Sequence, residues 1–512
     1  MRNEFLKKGN FLEPVLHERK IAAVRIGHTE ADDSWDGYRF VEEDYPASFQ
    51  KGESFCIDFG EHCTGYLSFV MTAPHQYPDA PTKLRFRFAE TLQELGTPFE
   101  ECKGNFCRTW LQEEIFIADD PDSYSLRRRY AFRYVEVKIE IAKAPICLDH
   151  FVVSAFTSAD WSQLKPVQFS ERLAQLDKVG CCTLSECMQR VFEDGPKRDR
   201  RLWIGDLRLQ ALVNYETFDN LDLVLRCLYL FAGYTKPGKH TPRCIYINPQ
   251  ETICDDAVFV DYSLMFNLIL CDYYEHTADR TVVEELFEIA DEQIALAYQA
   301  VDKAGIVQEV PVDGRWAFID WCAGLQKRTS MQGVIIYTLD KMIALCEKMG
   351  YEEKADQYRQ MAQHMKNASR KYLYNEEKQA FINEVDLYQY SVHSQVWMIL
   401  SGVLSKEEGQ RLMQKVLSDP KIIRPVTPYM HHYVVEALQA VGMKEETLTY
   451  IQNYWGQMVD HGADTYWEVF VPGYPEITPY GDRLMNSACH AWSCSPSYFL
   501  RKYFTAKEKD DE

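Results

Sequence analysis

The sequence is poor in positive charge and has no long apolar run. Its 56 Lys and Arg residues stand against 77 Asp and Glu residues, which leaves a formal net charge of −21. This balance argues against nucleic acid and anionic membranes as partners, because both attract clustered Lys and Arg. No apolar run is long enough to cross a bilayer, and the opening MRNEFLKKGNFLEP lacks the apolar core of an export signal.

Cysteine spacings that hold metals are also absent. Neither a CxxC pair nor an HExxH motif occurs, so we predict no metal and no cofactor. Several of the 16 cysteines lie inside apolar helical patterns, among them Cys227, Cys271 and Cys346. Without an export signal, free thiols in a reducing compartment are the better interpretation, and we predict a cytoplasmic protein.

The pattern of the chain changes near residue 162. Residues 1–162 contain alternating runs such as 132–141, where Val135, Val137, Ile139 and Ile141 are expected to share one face. Pro and Gly residues separate these runs, and no long helical period interrupts them. We therefore predict an antiparallel β-sandwich over residues 1–162 and a helical domain over residues 163–512.

The second part contains about twelve helical stretches. Gly350 and Gly442 stand where a C-terminal cap needs positive φ, and Thr427-Pro428 fits a cap followed by proline at the first helical position. The expected helices lie near 171–193, 206–216, 218–232, 257–277, 281–303, 329–349, 352–373, 388–402, 405–418, 429–441, 444–460 and 486–503. Twelve such helices can close as an (α/α)6 barrel around one cleft. A superhelical array is the alternative, but the sequence shows no repeat period of that kind.

Charge and aromatic residues cluster at 193–206, EDGPKRDRRLWIGD. The candidate polar residues are Asp194, Arg198, Asp199 and Asp206, with Trp203 between them. So much charge beside an indole is costly to bury unless a polar ligand binds there. Each of the three aspartates also has a plain structural explanation. Asp194 can be a turn residue, Asp199 can belong to a surface ion-pair run, and Asp206 can cap a helix.

A second acidic and aromatic cluster, ADTYWEVF at 463–470, supplies Glu468. Glycosidic hydrolysis needs one carboxyl group to protonate the leaving oxygen and another to act on water or on the sugar, and Asp199 and Glu468 are the candidates. His490 can be a site residue or a satisfied core histidine. Aromatic rings can stack on sugars, although most tryptophans in a helical domain belong to the core. The further candidates are Trp316, Asp320, Trp321, Trp467 and Trp492, with Asp255 and Asp256 as additional polar groups.

These motifs resemble those of glycoside hydrolase family 78, the α-L-rhamnosidases. DGPKRDRRLWIGD at 194–206 is similar to that family's D-C-P-x-R-E-R-x-x-W-x-G-D signature, TYWE at 465–468 to its T-x-W-E segment, and SACHAW at 487–492 to its S-x-x-H motif. The resemblance implies that Asp199 is the general acid and Glu468 the general base. It places Asp194, Asp206, Trp203 and His490 around the sugar. It also implies inversion, with the two carboxyl groups about 6.5–9.5 Å apart.

One position departs from the family pattern. The acid, usually glutamate, is aspartate here and is shorter by one methylene. A carboxyl group displaced by roughly 1 Å can cost ~100-fold in rate unless the backbone compensates. We expect an active enzyme that removes terminal α-L-rhamnose from small glycosides, with a homodimer as a possible assembly. The alternatives are a non-catalytic or weakly active sugar-binding protein and a glycosidase for another neutral sugar.

Overall fold

The computed structural model of the protein describes residues 2–74, 77–247, 252–255, 257–308, 310 and 316–505. Its N-terminal part is an antiparallel β-sheet and its C-terminal part is helical. The nine strands of the main sheet are β1 (His17–Ala22), β2 (Arg25–Ala31), β3 (Tyr38–Glu42), β4 (Ser54–Thr72), β5 (Thr82–Ala89), β6 (Gln112–Ala118), β7 (Ser123–Ser125), β8 (Tyr130–Ile141) and β9 (Cys147–Thr157).

The long strand β4 organises this sheet. Its first half pairs with β2 and β8, and its second half pairs with β7 and β9, with a register shift between Asp58 and Cys63. The sheet continues from β8 through β5 to β6, while β1 pairs with β9. Alternation in β8 buries Val135, Val137 and Ile139, as predicted, whereas Ile141 at the strand end is 52% exposed.

A short helix, α1 (Asn3–Phe11), precedes the sheet and was not predicted. A second short helix, α2 (Leu92–Gly96), follows β5. The remaining helices of the described chain are α3 (Glu171–Cys187), α4 (Ile204–Glu216), α5 (Leu221–Tyr234), α6 (Val260–Thr277), α7 (Arg280–Tyr298), α8 (Arg328–Met349), α9 (Glu352–Tyr372), α10 (Val392–Leu400), α11 (Lys406–Ser418), α12 (Pro428–Ala440), α13 (Lys444–Asp460) and α14 (Pro496–Tyr503). In the described part of the chain, five two-residue or three-residue strands lie outside the main sheet: β10 (Leu202–Trp203), β11 (Cys244–Tyr246), β12 (Ile253–Cys254), β13 (Tyr374–Asn375) and β14 (Ala380–Phe381).

The helices differ in how much of their surface they bury. In α4 and α6 nearly every residue is buried, whereas α9 buries a single face at Ala355, Tyr358, Ala362 and Met365. The spacing of three to four residues on α9 is that of an amphipathic outer helix. Helices α4, α6, α8, α10 and α12 pack side by side in that order, and α14 packs against α4. Helix α1 packs against α5, with Phe5 in the helical core.

Several helix ends differ from the prediction, and two of them differ most. The stretch expected as one helix over 486–503 is not α-helical before Pro496, where α14 begins, and contains only a short 3-10 turn at Ala491–Ser493. Helix α3, predicted over 171–193, ends at Cys187, because Met188 and Phe192 form an isolated bridge. Both irregular segments carry predicted site residues. None of the helices in the described part of the chain has the length and apolar character needed to traverse a bilayer.

Candidate active site

The loop between α3 and α4 carries most of the predicted acidic cluster. Asp194 folds this loop back on itself, since its Oδ1 accepts from the backbone N–H of Arg201 at 3.0 Å and its Oδ2 from that of Asp199 at 3.3 Å. The Asp194 carbonyl accepts from Ala491 N at 2.9 Å, which joins the loop to the segment before α14. Asp194 therefore has the turn role that was offered as its structural explanation, and it also lines a cavity.

That cavity has a volume of about 370 Å³ and lies at the N-terminal ends of α4 and α6. Predicted residues from both sequence clusters line it together: Asp194, Arg198, Asp199, Trp203, Asp206, Trp321, Glu468, His490 and Trp492. The remaining lining residues are Phe106, Trp110, Arg201, Arg243, Phe259, Tyr262, Phe318 and Tyr480. Asp199 and Glu468, 269 positions apart in sequence, thus share one pocket.

Glu468 lines this cavity, and its contacts favour the ionised carboxylate. Arg198 Nη2 donates to its Oε1 at 2.7 Å and to its Oε2 at 2.6 Å, and both side chains are only 4% exposed. Tyr480 Oη donates to Oε1, and the Ser487 backbone N–H donates to Oε2 at 2.9 Å. Burial alone would raise the pKa of Glu468, but Arg198, His490 and these hydrogen bonds together hold that pKa below its usual value.

Asp199 experiences the opposite balance. Its carboxyl oxygens lie 3.6 Å from Arg198 Nη1 and 3.7 Å from Arg201 Nη1, beyond hydrogen-bond length. Burial raises the pKa of Asp199 above its usual value, and the nearby Glu468 carboxylate adds to this, despite the opposing charges of Arg198 and Arg201. The single guanidinium of Arg198 thus lies between a carboxylate and a carboxyl group that retains its proton more readily.

Three further titratable groups stand together on the same wall. His490 Nδ1 lies 3.6 Å from Asp206 Oδ1, while its Nε2 lies 3.9 Å from Asp194 Oδ2 and 3.8 Å from Glu468 Oε1. Burial lowers the pKa of His490 to about 4 and, with the Asp199 charge, raises that of Asp194 to about 8. Burial and Asp194 raise the pKa of Asp206 well above its usual range. At neutral pH this wall carries less charge than its composition indicates.

Buried polar atoms on this wall have no hydrogen-bond partner among the described residues. They are Trp203 Nε1, Asp206 Oδ1 and His490 Nδ1. Leaving such groups unsatisfied costs about 1–3 kcal/mol each, so native sites usually supply partners for them. The three residues that carry these atoms line a cavity that can hold a small polar molecule, and between them the atoms offer donors and acceptors for hydroxyl groups.

Most of the remaining lining residues are aromatic. Phe318 stacks with Trp492 at a centroid distance of 5.8 Å and meets Trp321 edge to face at 5.2 Å. Phe106 and Trp110 reach the same cavity from the β-sheet part of the chain. Apolar ring faces of this kind pack well against the carbon side of a sugar.

Two family models match the chain. The glycosyl hydrolase family 78 alpha-rhamnosidase N-terminal domain matches residues 34–146, and the bacterial alpha-L-rhamnosidase 6 hairpin glycosidase domain matches residues 169–504. The chain belongs to glycosyl hydrolase family 78. It is therefore a glycoside hydrolase, as the motifs at 194–206, 465–468 and 487–492 predicted.

Solved structures agree with this family membership. A rhamnosidase from Klebsiella oxytoca with rhamnose bound is 38% identical, covers 98% of this chain and 99% of its own, and superimposes with a TM-score of 0.94. A family 78 rhamnosidase of Bacillus sp. GL1 is 24% identical over 90% of this chain and 48% of its own, with a TM-score of 0.75. A Streptomyces avermitilis α-L-rhamnosidase complexed with L-rhamnose, 14% identical over 96% of this chain and 44% of its own, shares the fold with a TM-score of 0.67. No curated protein sequence matches the chain significantly.

Three predicted site residues of this family 78 chain lie outside the cavity lining. Trp467 stacks on Trp35 at 6.0 Å and lines a neighbouring, smaller cavity. Asp320 is fully buried, where it accepts from Thr427 Oγ1 at 2.7 Å and contacts His393 Nε2 at 2.7 Å. Trp316 packs against the helical core.

The additional polar candidates also have structural surroundings. Asp255 pairs with Arg243, whose Nε lies 2.8 Å from its Oδ2, and Arg243 in turn lines the cavity. Asp256 lies outside the described residues.

Sequence reasoning missed two groups that contact the predicted acids. Arg201 belongs to the same KRDRR string as Asp199, so its charge was visible there, although its direction was not. Tyr480 lies in the loop EITPYGD, twelve positions after Glu468, where no periodicity or motif distinguishes it from other loop tyrosines. The structure brings it to Glu468 because the loop folds back over the carboxylate.

Proposed function

We propose that the protein is an inverting exo-α-L-rhamnosidase, in which Asp199 protonates the leaving glycosidic oxygen and Glu468 activates water. The observation that carries this proposal is the placement of Arg198 between the two groups, 2.6 Å from Glu468 Oε2 and 3.6 Å from Asp199 Oδ1. The surroundings lower the pKa of Glu468 and raise that of Asp199, and general acid and base catalysis needs such a separation between two carboxyl groups.

Inversion requires water between the base and the anomeric carbon. Asp199 and Glu468 contact different nitrogens of one guanidinium, which holds both carboxyl groups in the same part of the cavity. A direct displacement by water needs carboxyl groups about 6.5–9.5 Å apart, and we propose inversion because the resemblance to family 78 implies it. Glu468 then removes a proton from water as Asp199 gives its own to the leaving oxygen.

Recognition of the sugar falls to the wall of Asp194, Asp206, His490 and Trp203. The unpartnered atoms of Trp203, Asp206 and His490 would meet the hydroxyl groups of the terminal residue, and the protonated form of Asp194 adds a donor. The rings of Phe318 and Trp492 supply an apolar face suited to the methyl group of a 6-deoxy sugar. A cavity of this modest volume favours a single terminal sugar on a small glycoside over the interior of a polymer.

We further propose that the helical part is an (α/α)6 barrel and the β part a sandwich. The order α4, α6, α8, α10, α12, with α14 returning to α4, supports a closed inner ring, and amphipathic helices such as α9 support an outer one. Cytoplasmic location is part of the same proposal, and the 16 free cysteines fit a reducing compartment.

Hydrolysis of an aryl α-L-rhamnoside, followed by proton NMR, tests the function. We expect rhamnose to appear first as the β anomer, inverted from the substrate. Initial release of the α anomer would refute inversion. Rhamnose binding without release would favour the sugar-binding alternative, and faster release from another aryl glycoside in a matched panel would favour a different neutral sugar.

A further inference from the structure

A buried lysine in the loop between α3 and α4 is bound by a carboxyl group from the β-sheet part of the chain. Lys197, adjacent to Arg198, is 1% exposed at its side chain. Its Nζ donates to Glu94 Oε2 at 2.7 Å and to the carbonyls of Asn486 at 3.0 Å and Leu484 at 3.2 Å. Glu94 lies on α2, in the β-sheet part of the chain. Lys197 therefore joins this part to the loop between α3 and α4 and to the segment that contains Leu484 and Asn486.

Glu90, at the end of β5, makes the companion contact. Its side chain is fully buried, and its Oε2 accepts from the backbone N–H of Ala488 at 2.6 Å and lies 3.8 Å from Lys197 Nζ. Its Oε1 lies 3.2 Å from His62 Nε2, and its own backbone N–H donates to Glu94 Oε1 at 3.2 Å. Glu90 and Glu94 thus form one unit with Lys197.

The segment that this unit holds, residues 484–490, is the one that touches the proposed base. Ser487 donates its N–H to Glu468 Oε2 at 2.9 Å, and Met485 accepts from Arg198 Nε at 3.1 Å. His490, at the end of the segment, lines the cavity. Neither Glu90 nor Glu94 lines that cavity, so both act on the reaction only through other groups.

We propose that Glu90 and Glu94 are positioning residues for catalysis: with Lys197 they fix the backbone of residues 484–490 and the 194–201 loop, and thereby the placement of Glu468, Arg198 and Asp199. The catalytic part of this inference rests on the function proposed above. It assigns the β-sheet part a role in turnover. Since two loops from distant parts of the chain must meet at one glycosidic bond, small displacements of either are costly.

The test compares Glu94→Gln and Lys197→Met with a matched control, Asp272→Asn. Asp272 is also a buried partner of an arginine, with Arg208 Nε at 3.0 Å, but it lies ten residues along α6 from Tyr262 of the cavity, or about 15 Å at the rise of a helix. The readouts are kcat and KM on an aryl α-L-rhamnoside, and amide hydrogen exchange in residues 484–490.

We expect Glu94→Gln to lower kcat by about 100-fold, with KM changed by less than about threefold, and to speed exchange in residues 484–490. Asp272→Asn should lower the Tm while leaving kcat and that exchange near wild type. If Lys197→Met does not fold, Glu94→Gln decides alone, because glutamine keeps the size and an acceptor oxygen. Unchanged exchange or unchanged kcat in Glu94→Gln overturns the proposal. If the wild-type protein releases no rhamnose, the proposed function fails, and the exchange comparison still decides whether this unit holds the segment.

Discussion

The ion pair between Arg198 and Glu468 permits a double-mutant cycle that separates catalysis from stability. Arg198→Met leaves a carboxylate buried beside Tyr480 without its cation, and Glu468→Gln leaves the guanidinium without its anion. Both side chains are only 4% exposed, so water reaches either charge only through the cavity that they line. Removing one partner of a buried pair typically costs about 3–5 kcal/mol in the free energy of unfolding. Glutamine keeps an acceptor for Arg198, which places Glu468→Gln at the lower end.

The double variant should lose less stability than the sum of the single variants, by about 1–3 kcal/mol, because no uncompensated charge remains. Its rate should nevertheless stay as low as that of Glu468→Gln, reduced by about 10²–10⁴-fold, since the base is absent in both. Urea unfolding and initial rates on an aryl α-L-rhamnoside measure the two effects. The control is the buried pair Arg501–Asp177, in which Arg501 Nε lies 2.8 Å from Asp177 Oδ1. Neither residue of this pair lines the cavity. Arg501→Met and Asp177→Asn should show similar coupling with little loss of kcat. The reasoning would be refuted by a wild-type rate for Glu468→Gln. It would also be refuted if the losses in unfolding free energy of Arg198→Met and Glu468→Gln added up to that of the double variant.

Three further predictions concern single groups of the cavity. Asp199→Asn should lower kcat by about 10²–10⁴-fold on an alkyl α-L-rhamnoside but far less on a dinitrophenyl one, whose leaving group needs no proton; equal losses on both would remove Asp199 from the acid role. Tyr480→Phe deletes a donor that lowers the pKa of Glu468, so that pKa should rise and the acidic limb of the kcat/KM profile should move to higher pH, while an unmoved limb would contradict the assignment of Glu468 as the base. The pKa of Asp206 is raised by burial, so ionisation of the unfolded chain destabilises the fold as pH rises above the ordinary aspartate value. Asp206→Asn should therefore raise the Tm at pH 7 and weaken rhamnose binding measured by calorimetry, and a lower Tm with unchanged affinity would count against both claims.

The helical part shows how far local signals carry a prediction. Helix α13 occupies residues 444–460 as predicted, and Gly350 and Gly442 have φ of 78° and 76°, as their proposed capping positions require. Thr427 caps α12 through its side chain, with Pro428 at the first helical position. These features depend on neighbours within one turn, so the sequence contains what determines them.

The stretch over 486–495 shows where local signals fail. Its composition permits a helix, but its backbone groups bond to distant side chains instead: Ser487 N to Glu468, Ala488 N to Glu90, and the Asn486 carbonyl to Lys197. None of these partners is within one helical turn, so periodicity could not reveal the competition. Similarly, the motifs identified Asp199 and Glu468 as candidates, but the Tyr480 and Glu94 contacts depend on tertiary placement.

The arrangement around Arg198 bears on the shorter acid at position 199. An aspartate reaches less far than the glutamate usual in the family, yet its carboxyl group lies between the Arg198 and Arg201 guanidinium groups without a hydrogen bond to either. Hydrogen bonds from both guanidinium groups would have lowered the pKa of Asp199, as the bonds from Arg198 lower that of Glu468. Asp199 would then lose the proton that the leaving oxygen needs. Arg198 uses its Nη2 to bind Glu468 at 2.6–2.7 Å, and its Nη1 lies 3.6 Å from Asp199 Oδ1. Its charge therefore acts on Asp199 only at the longer distance. The same arginine thus lowers the pKa of the proposed base, Glu468, while burial raises the pKa of the proposed acid, Asp199. On this argument the loss of one methylene is acceptable provided the backbone of the 194–201 loop brings Asp199 to the bond, and that backbone is fixed by Asp194 and Lys197.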